Sequence, residues 1–443
     1  MPPSNISSLC KGRCPEGGGI FSLEHWLTYI EGIHPKTIEM GLDRMRLVTQ
    51  RLSISPTCRV VTVAGTNGKG TTVAALQTLA SQQGWRVGVY TSPHLFKFQE
   101  RIVLDLPDQG ARPVDDDMLI AAFEAIEAAR EEVSLTYFEY TTLAALWVFK
   151  RMSLDLVILE VGMGGRLDST NIVDADIAII TRIALDHVDF LGHTREVIAA
   201  EKAGIMRRGK PCLYGGEDLQ ERMRALADEH GALLQCYGES FVPDVGILKA
   251  SAASRIPLAN LACAKQAFLL LGGREQESMW ANLLKKKPAG RFTPVTFGEK
   301  IVIFDVAHNP DAMGLLAEQL KDLAYSDLRV IVGMLQDKDH EASLAALKAD
   351  PRMTFYVSSP KGTPRAAKSE QLMLALKGAK AFAFDSLEDA WKASWEDSTQ
   401  RTVWIVAGSF FTVAEVWACI SAIPAMPSSE LRPKIFDFSH QLL

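Results

Sequence analysis

The chain predicts an α/β fold: a P-loop, parallel-sheet N-terminal domain followed by a smaller, Rossmann-like α/β C-terminal domain. Three observations carry this. Val60 to Thr72 reads VVTVAGTNGKGTT, a β-branched run, a glycine turn and a helical spacing in immediate succession. Leu154–Val161 (LDLVILEV) and Asp176–Ile183 are continuous apolar runs, as strands buried on both faces of a parallel sheet must be. The alternation of strand and helix stops at Lys285-Lys286-Lys287-Pro288-Ala289-Gly290 and restarts beyond it. At 443 residues the chain is too long for one ordinary core. The expected divisions are a tail over 1–21, the first domain over 22–287, the second over 288–423, and a second tail over 424–443.

In chain order, 22–52 reads as two helices joined by a loop at His34–Ile38. The glycine turn follows, then a helix over 71–83, spaced by Val73, Leu76, Leu79 and Ala80. Strand Arg86–Tyr90 ends in Thr91-Ser92-Pro93-His94. Residues 115–132 form a polar amphipathic helix, and Tyr137–Met152 a more buried one. Strand 154–161 ends in Gly162-Met163-Gly164-Gly165, and strand 176–183 runs out at Leu185-Asp186-His187. A helix over 195–207 carries Glu201 and Lys202. Beyond the lysine run, Ile301–Val306, Val330–Met334, Thr354–Val357 and Thr402–Val406 read as strands with helices between them.

The glycine turn carries the chemistry. Glycines let backbone N–H groups converge on a phosphate, and a helix N-terminus adds partial positive charge. Lys69 supplies a point charge and Thr71 a hydroxyl able to ligate Mg²⁺. The stretch departs from the common phosphate-loop pattern: Val63 stands where a glycine is usual, and Gly70 separates Lys69 from Thr71. A turn that merely caps a Rossmann-like helix is the alternative. Strand, lysine and paired threonines together favour a nucleoside triphosphate.

Hydrophobic content of 47% and charged content of 23% are those of a soluble globular protein. The net charge of −6 disfavours nucleic acid as a partner. No apolar run is long enough to span a membrane, and the first twenty residues lack the apolar stretch of a signal peptide. Seven scattered cysteines read as reduced thiols in a cytoplasmic protein. Cys10 and Cys14 make half of a zinc-ligand spacing, without a second pair.

In open parallel sheets, ligands sit at the carboxyl ends of the strands. Lys69, Ser92, Glu160 and His187 fall there in the first domain, Asp305 and His308 in the second. Glu160 is either a metal ligand or a capped structural acid; Mg²⁺ in nucleotide sites is commonly held by one or two carboxylates plus phosphates. His187 divides evenly between a structural and a functional reading. Lys202, from its local sequence, reads as a surface cation on a helix.

GTNGKGTT, YTSPHL, LTYFEYTT, ILEVGMGGRLDSTNIV, ALDHVDFLG, EKAGIM, PAGRF, DVAHNP and GSF occur here in order. This string resembles the bacterial dihydrofolate synthase/folylpolyglutamate synthase family, in the Mur ligase superfamily, over roughly residues 22–420, and its N-terminal third resembles the bifunctional members. The resemblance implies a monomeric cytoplasmic ligase of folate biosynthesis and one-carbon metabolism, with small-molecule substrates. ATP cleavage would be coupled to an amide bond between a pteroate or folate carboxylate and L-glutamate, through an acyl phosphate. It also implies residue roles. Gly65, Thr66, Asn67, Gly68, Lys69, Gly70 and Thr71 cradle the phosphates, and Asn260, Arg291 and Asp305 contact ATP. Thr71 and Glu160 hold one Mg²⁺; Ser92, Glu160 and His187 hold a second. Lys202 matches a lysine the family carbamylates, which would turn a cation into an anion beside the metals. His308 and Ser409 handle glutamate and the phosphoryl group. Glu39, Met40, Gly41 and Leu42, with Thr136, Tyr137, Phe138 and Glu139 and with Asp168, Ser169 and Thr170, match the pteroate-binding loops. Phe411 departs from the pattern, since histidine commonly follows GSF in this family.

Two other classes are weaker. A Mur-type ligase of peptidoglycan precursors would share the chemistry but not the pteroate loops. A regulatory NTPase would carry an Asn-Lys-x-Asp guanine motif, absent here, and has no use for the second domain.

Overall fold

A computed structural model describes residues 21–421 except 37, 277, 298, 299, 397 and 400. Residues 1–20 and 424–443, with Cys10 and Cys14, lie outside the described residues. The first sheet takes β1 (Arg59–Ala64), β2 (Val87–Tyr90), β3 (Ile102–Leu106), β4 (Gly110–Pro113), β5 (Leu156–Glu160), β6 (Ile177–Ile180), β7 (Pro211–Tyr214) and β8 (Leu233–Cys236). Their spatial order is β4-β3-β2-β5-β1-β6-β7-β8. All pairings are parallel except those made by β3, which runs antiparallel to both neighbours. The chain fills the β5 side of β1 and then crosses to β6 on the other side. β1 therefore sits at a topological switch point, where open α/β sheets form their ligand crevice.

The continuous apolar runs have a direct cause. Ile158 faces a core shared with helices Lys69–Gln82 and Leu258–Leu270. Its neighbours Val157 and Leu159 face the opposite core, covered by helices Leu23–Gly32, Asp43–Leu52, Asp116–Arg130 and Tyr137–Arg151. Both faces exclude water, and each such side chain contributes about 1.5–3 kcal/mol by burial, so no position in β5 tolerates a polar residue until the strand end. Helix Lys69–Gln82 is buried from Thr71 through Ala80, deeper than its spacing of apolar residues implied.

The second sheet takes β9 (Thr293–Phe297), β10 (Lys300–Phe304), β11 (Asp327–Val332), β12 (Met353–Val357), β13 (Lys380–Ala383) and β14 (Thr402–Ala407), in the order β13-β12-β11-β14-β10-β9. Only β9 is antiparallel. Its two faces pack separate cores, one around Ile303, Val330 and Ile405 and one around Phe304, Ile331 and Trp404.

The expected strands are all present, shifted by a few residues at their ends. The outer strands of the sheets, β3 and β4 on one side and β7 and β8 on the other of the first sheet, and β9 and β13 at the edges of the second, were not named in advance. β4 is exposed along its whole length and ends at Pro113, so it has neither an apolar run nor an alternation to betray it. The lysine run differs from a plain linker. Lys285 and Lys286 close a short helix, Leu283–Lys286, and the Lys286 amine is held by the buried carboxylate of Asp105 and by Ser81. The Lys287 amine donates to the carbonyls of Ser254, at 2.5 Å, and Phe292, at 3.3 Å. The joint between the sheets is thus pinned by its lysines, and only Pro288–Gly290 remains as connector.

Candidate active site

The phosphate loop is shaped by contacts that exclude side chains. Gly65 has φ +147°, and a Cβ there would lie 1.7 Å from the Thr181 hydroxyl. Gly68 has φ +96°, and its Cβ would meet the Asn260 amide at 2.6 Å. Only glycine serves at either position. Asn260 comes from helix Leu258–Leu270 and donates to Thr71 Oγ1 at 3.0 Å, which ties that helix to the first turn of Lys69–Gln82. Lys69 Nζ donates to the carbonyls of Gly65, at 3.1 Å, and Thr66, at 3.2 Å. Burial lowers its pKa, against the attraction of Glu160.

Glu160, the last residue of β5, is 4% exposed. The Ser92 N–H donates to its carboxylate at 3.3 Å. Gly70 leaves its oxygens open: even a Cβ there would stand 3.7 Å away. Burial raises its pKa, while Lys69 and then Arg291 pull it back. His187 has φ +50°, a left-handed conformation unusual outside glycine and strained in the way of functional residues. Burial, only partly offset by Asp186, lowers its pKa to about 4. A neutral imidazole is the form that ligates metal. Among the described residues no three His, Cys, Asp or Glu side chains converge as a metal cage. The set Thr71, Ser92, Glu160 and His187 fits instead a cation that keeps waters and phosphate oxygens as ligands.

Lys202 corrects its local reading as a surface cation. It is 3% exposed, and its amine donates to the Gly65 carbonyl at 3.0 Å, the same oxygen that Lys69 uses. Burial, and then the charge of Lys69, lower its pKa to about 7.

The second sheet supplies the opposite wall. The Asp305 carboxylate accepts from the backbone N–H groups of Phe292 and Ala307 at 2.7 and 2.8 Å. Burial raises its pKa, and Arg291 opposes that. Arg291 lies 5.3 Å over the ring of Phe410. His308 Nδ1 donates to the Val306 carbonyl at 2.8 Å, which turns Nε2 toward Asp186 Oδ2 at 3.4 Å. The Ser409 hydroxyl is 2.8 Å from Thr412 Oγ1 and accepts from the Thr412 N–H, a helix cap at the cleft wall.

One cleft of about 1390 Å³ collects Gly65–Thr71, Ser92, Glu160, His187, Lys202, Asn260, Arg291, Asp305, His308 and Ser409 on its lining, with Phe411 at its edge. Of the expected pteroate segments only Tyr137 reaches that lining. The others stand behind it. Asp168 accepts from the Met163 N–H and from Thr170, and so fixes the Gly162–Gly165 loop. Thr136 and Glu139 form a reciprocal cap at the start of Tyr137–Arg151. Arg44 joins Glu139 to Glu39, in the segment that continues through Met40, Gly41 and Leu42. Phe138 packs on Gly162, and Ser169 is buried.

Contacts that the sequence reading did not foresee bridge the walls. Asp186 accepts from Lys338 at 2.5 Å and from Asn309 at 3.2 Å, besides facing His308. Burial by itself would raise its pKa; the hydrogen bond from His308 and the charge of Lys338 hold it well below the carboxylate range. Asn67 exchanges amide hydrogen bonds with Asn309 and donates to Asp311 at 2.9 Å. Lys338 lies well past the end of β11 at Val332, in the loop that leads to helix His340–Lys348, so a rule that reads only strand-end residues does not reach it.

A phosphate loop at the switch point of one α/β sheet, facing a second α/β sheet across a cleft, defines a ligase of the Mur type. The model of the Mur ligase middle domain matches residues 63–215, and that of the Mur ligase glutamate ligase domain matches 290–410. The chain is 42% identical over 414 residues to the dihydrofolate synthase/folylpolyglutamate synthase of Escherichia coli K12, covering 90% of this chain and 96% of that protein. Its fold is similar to that of E. coli FolC in complex with DHPP and ADP, with TM-score 0.82, 40% identity, and 91% and 98% of the two chains covered. It is similar also to a bifunctional folylpolyglutamate synthase/dihydrofolate synthase with Mn, AMPPNP and L-glutamate bound, with TM-score 0.78, 39% identity, and 90% and 98% covered. The chain belongs to the dihydrofolate synthase/folylpolyglutamate synthase family and is an ATP-dependent ligase.

Proposed function

We propose that this ligase joins L-glutamate to 7,8-dihydropteroate and, at the same site, to reduced folates, each through an acyl phosphate. The observation that carries the reading is the single cleft, in which the phosphate loop, a buried carboxylate, a neutral histidine and the second sheet's Asp305 and His308 face one another. A carboxylate is a poor electrophile, so its oxygen must first take the γ-phosphoryl group of ATP; glutamate's amine then attacks the acyl carbon and phosphate leaves. The protein's task is to position and neutralise charge. Gly65–Thr71 and Lys69 hold the phosphates, while Asn260, Arg291 and Asp305 orient the nucleotide. Thr71, Ser92, Glu160 and His187 would hold Mg²⁺, which when bound offsets phosphate charge. His308 and Ser409 receive glutamate from the second wall. The pteroate loops support the acyl substrate from behind the lining, with Tyr137 in contact. The closed walls keep water from the acyl phosphate.

Lys202 is read as carbamylated. Its free amine attacks CO₂, a C–N bond forms and a proton leaves, giving an anion where a second ammonium would repel Mg²⁺. Its burial and lowered pKa support this, because only the neutral amine reacts. The test of the whole reading is phosphate release from ATP with L-glutamate and either dihydropteroate or tetrahydrofolate, assayed side by side, with the products weighed by mass spectrometry. Release with both, each product gaining one glutamate, is expected. Release with neither overturns the reading, and release with one alone removes half of it.

A further inference from the structure

Among the described residues Arg101 is a buried cation with no hydrogen-bonded or ion-paired carboxylate. It follows the turn after β2, is 7% exposed, and lines the cleft. Its Nε donates to His94 Nδ1 at 2.8 Å. Its guanidinium lies 5.5 Å from the ring of Tyr137 and 5.8 Å from that of Phe98. Guanidinium has five N–H donors, and among the described residues its two terminal nitrogens donate to nothing and meet no carboxylate. His94 does not compensate the charge, because an imidazole is neutral or cationic and never an anion. Glu100 is spent on the backbone N–H groups of Leu95, Phe96 and Lys97. A buried, unpaired charge is costly unless a ligand completes it.

The missing partner is anionic, and the position selects which anion. The phosphate cradle has its own cations, Lys69 and Arg291. Arg101 makes no hydrogen bond to that cradle among the described residues and lies instead over Tyr137, at the start of the acyl-substrate segment. A pteroate carries one carboxylate, the one that reacts. A folate ends in a glutamyl residue with two, so one reacts and the other stays ionised in a cleft whose nearby acid is the buried Glu160. That spectator carboxylate needs a cation. We infer that Arg101 binds the unreacting carboxylate of the folate's terminal glutamyl residue, and so serves the polyglutamylating reaction more than the dihydropteroate reaction. The inference rests on the reaction proposed above.

The test is KM and kcat for tetrahydrofolate and for dihydropteroate, at saturating ATP and glutamate, on Arg101→Met and Arg101→Lys. Loss of a charge-assisted hydrogen bond should raise KM for tetrahydrofolate about tenfold or more in Arg101→Met, against less than about threefold for dihydropteroate. Arg101→Lys, a point charge without the planar fork, should fall between. A second arm uses wild-type enzyme and a pteroate extended by 4-aminobutyrate, which lacks the spectator carboxylate. Its KM should rise by the same factor, and Arg101→Met should add nothing to it. Equal change on both acyl substrates, change on neither, or a wild-type enzyme indifferent to the missing carboxylate would overturn the assignment. Wild-type turnover with no acyl substrate at all would instead overturn the parent reading.

Discussion

At Lys202 burial decides the chemistry. A lysine with pKa about 7 in the fold and about 10.4 unfolded binds fewer protons folded than unfolded between those values. Stability therefore rises with pH from 7 to about 10.4, and the cost of burial is fully present below 7. The same sign governs carbamylation, which needs the free amine. Ligase activity should fall as pH drops through about 7 and recover in part on added bicarbonate; a flat profile, insensitive to bicarbonate, would argue for an unmodified lysine. Lys202→Arg keeps the charge but cannot lose its proton, so it should be as inactive as Lys202→Ala. Only the alanine variant leaves space for rescue by a small carboxylic acid. Glu160→Gln keeps shape and removes charge. Its Mg²⁺ requirement should rise steeply, with kcat falling about a hundredfold or more. An unchanged Mg²⁺ titration would make Glu160 a structural strand end.

At the scale of the element, the phosphate loop works because two of its glycines sit where no Cβ fits. Gly68→Ala forces a left-handed alanine, costing about 1–2 kcal/mol, and drives its methyl into the Asn260 amide. Thermal unfolding should report that loss, and ADP affinity, measured by calorimetry, should drop about tenfold. Normal affinity would mean that the loop and helix Leu258–Leu270 can part without consequence. Lys69→Ala removes two hydrogen bonds to the Gly65 and Thr66 carbonyls but no residue of the apolar cores. It should unfold like wild type yet lose about a hundredfold or more in turnover.

For the whole molecule the question is closure. Asp186 belongs to the first wall but bonds Lys338 and Asn309 of the second. Lys338 and Asp186 side chains are 5% and 9% exposed. Breaking one side of a buried pair costs about 3–5 kcal/mol, here charged to the arrangement that brings the walls together. Asp186→Asn should give a larger radius of gyration by small-angle scattering with nucleotide present, and slower turnover. An unchanged radius and rate would remove the pair from the closing contact. Pro288–Gly290, between the pinned lysines and β9, is the segment left to bend. His308→Ala should impair amide formation more than ATP binding, because the residue belongs to the second wall, from which glutamate is proposed to dock; equal losses would reject that division.

The sequence by itself determined the alternation, the two sheets, the phosphate loop and the strand-end residues, because these follow from rules of short range. A strand buried on both faces must be apolar throughout, a loop that admits a phosphate must be glycine, and a parallel strand must deliver its next residue to one edge of the sheet. The family motifs then named the chemistry. Tertiary structure alone decided what each polar side chain meets. EKAGIM cannot say that Lys202 reaches a carbonyl on β1's loop, nor QERI that Arg101 lines the cleft with no carboxylate bonded to it. KKKP reads as a solvated linker until Asp105, from a strand far up the chain, takes hold of Lys286. The pairing of Asp186 with Lys338 joins two domains, and no local pattern encodes it. Burial and charge neighbours are properties of the assembled fold, and they set the pKa of Lys202, the neutrality of His187 and the closure of the cleft.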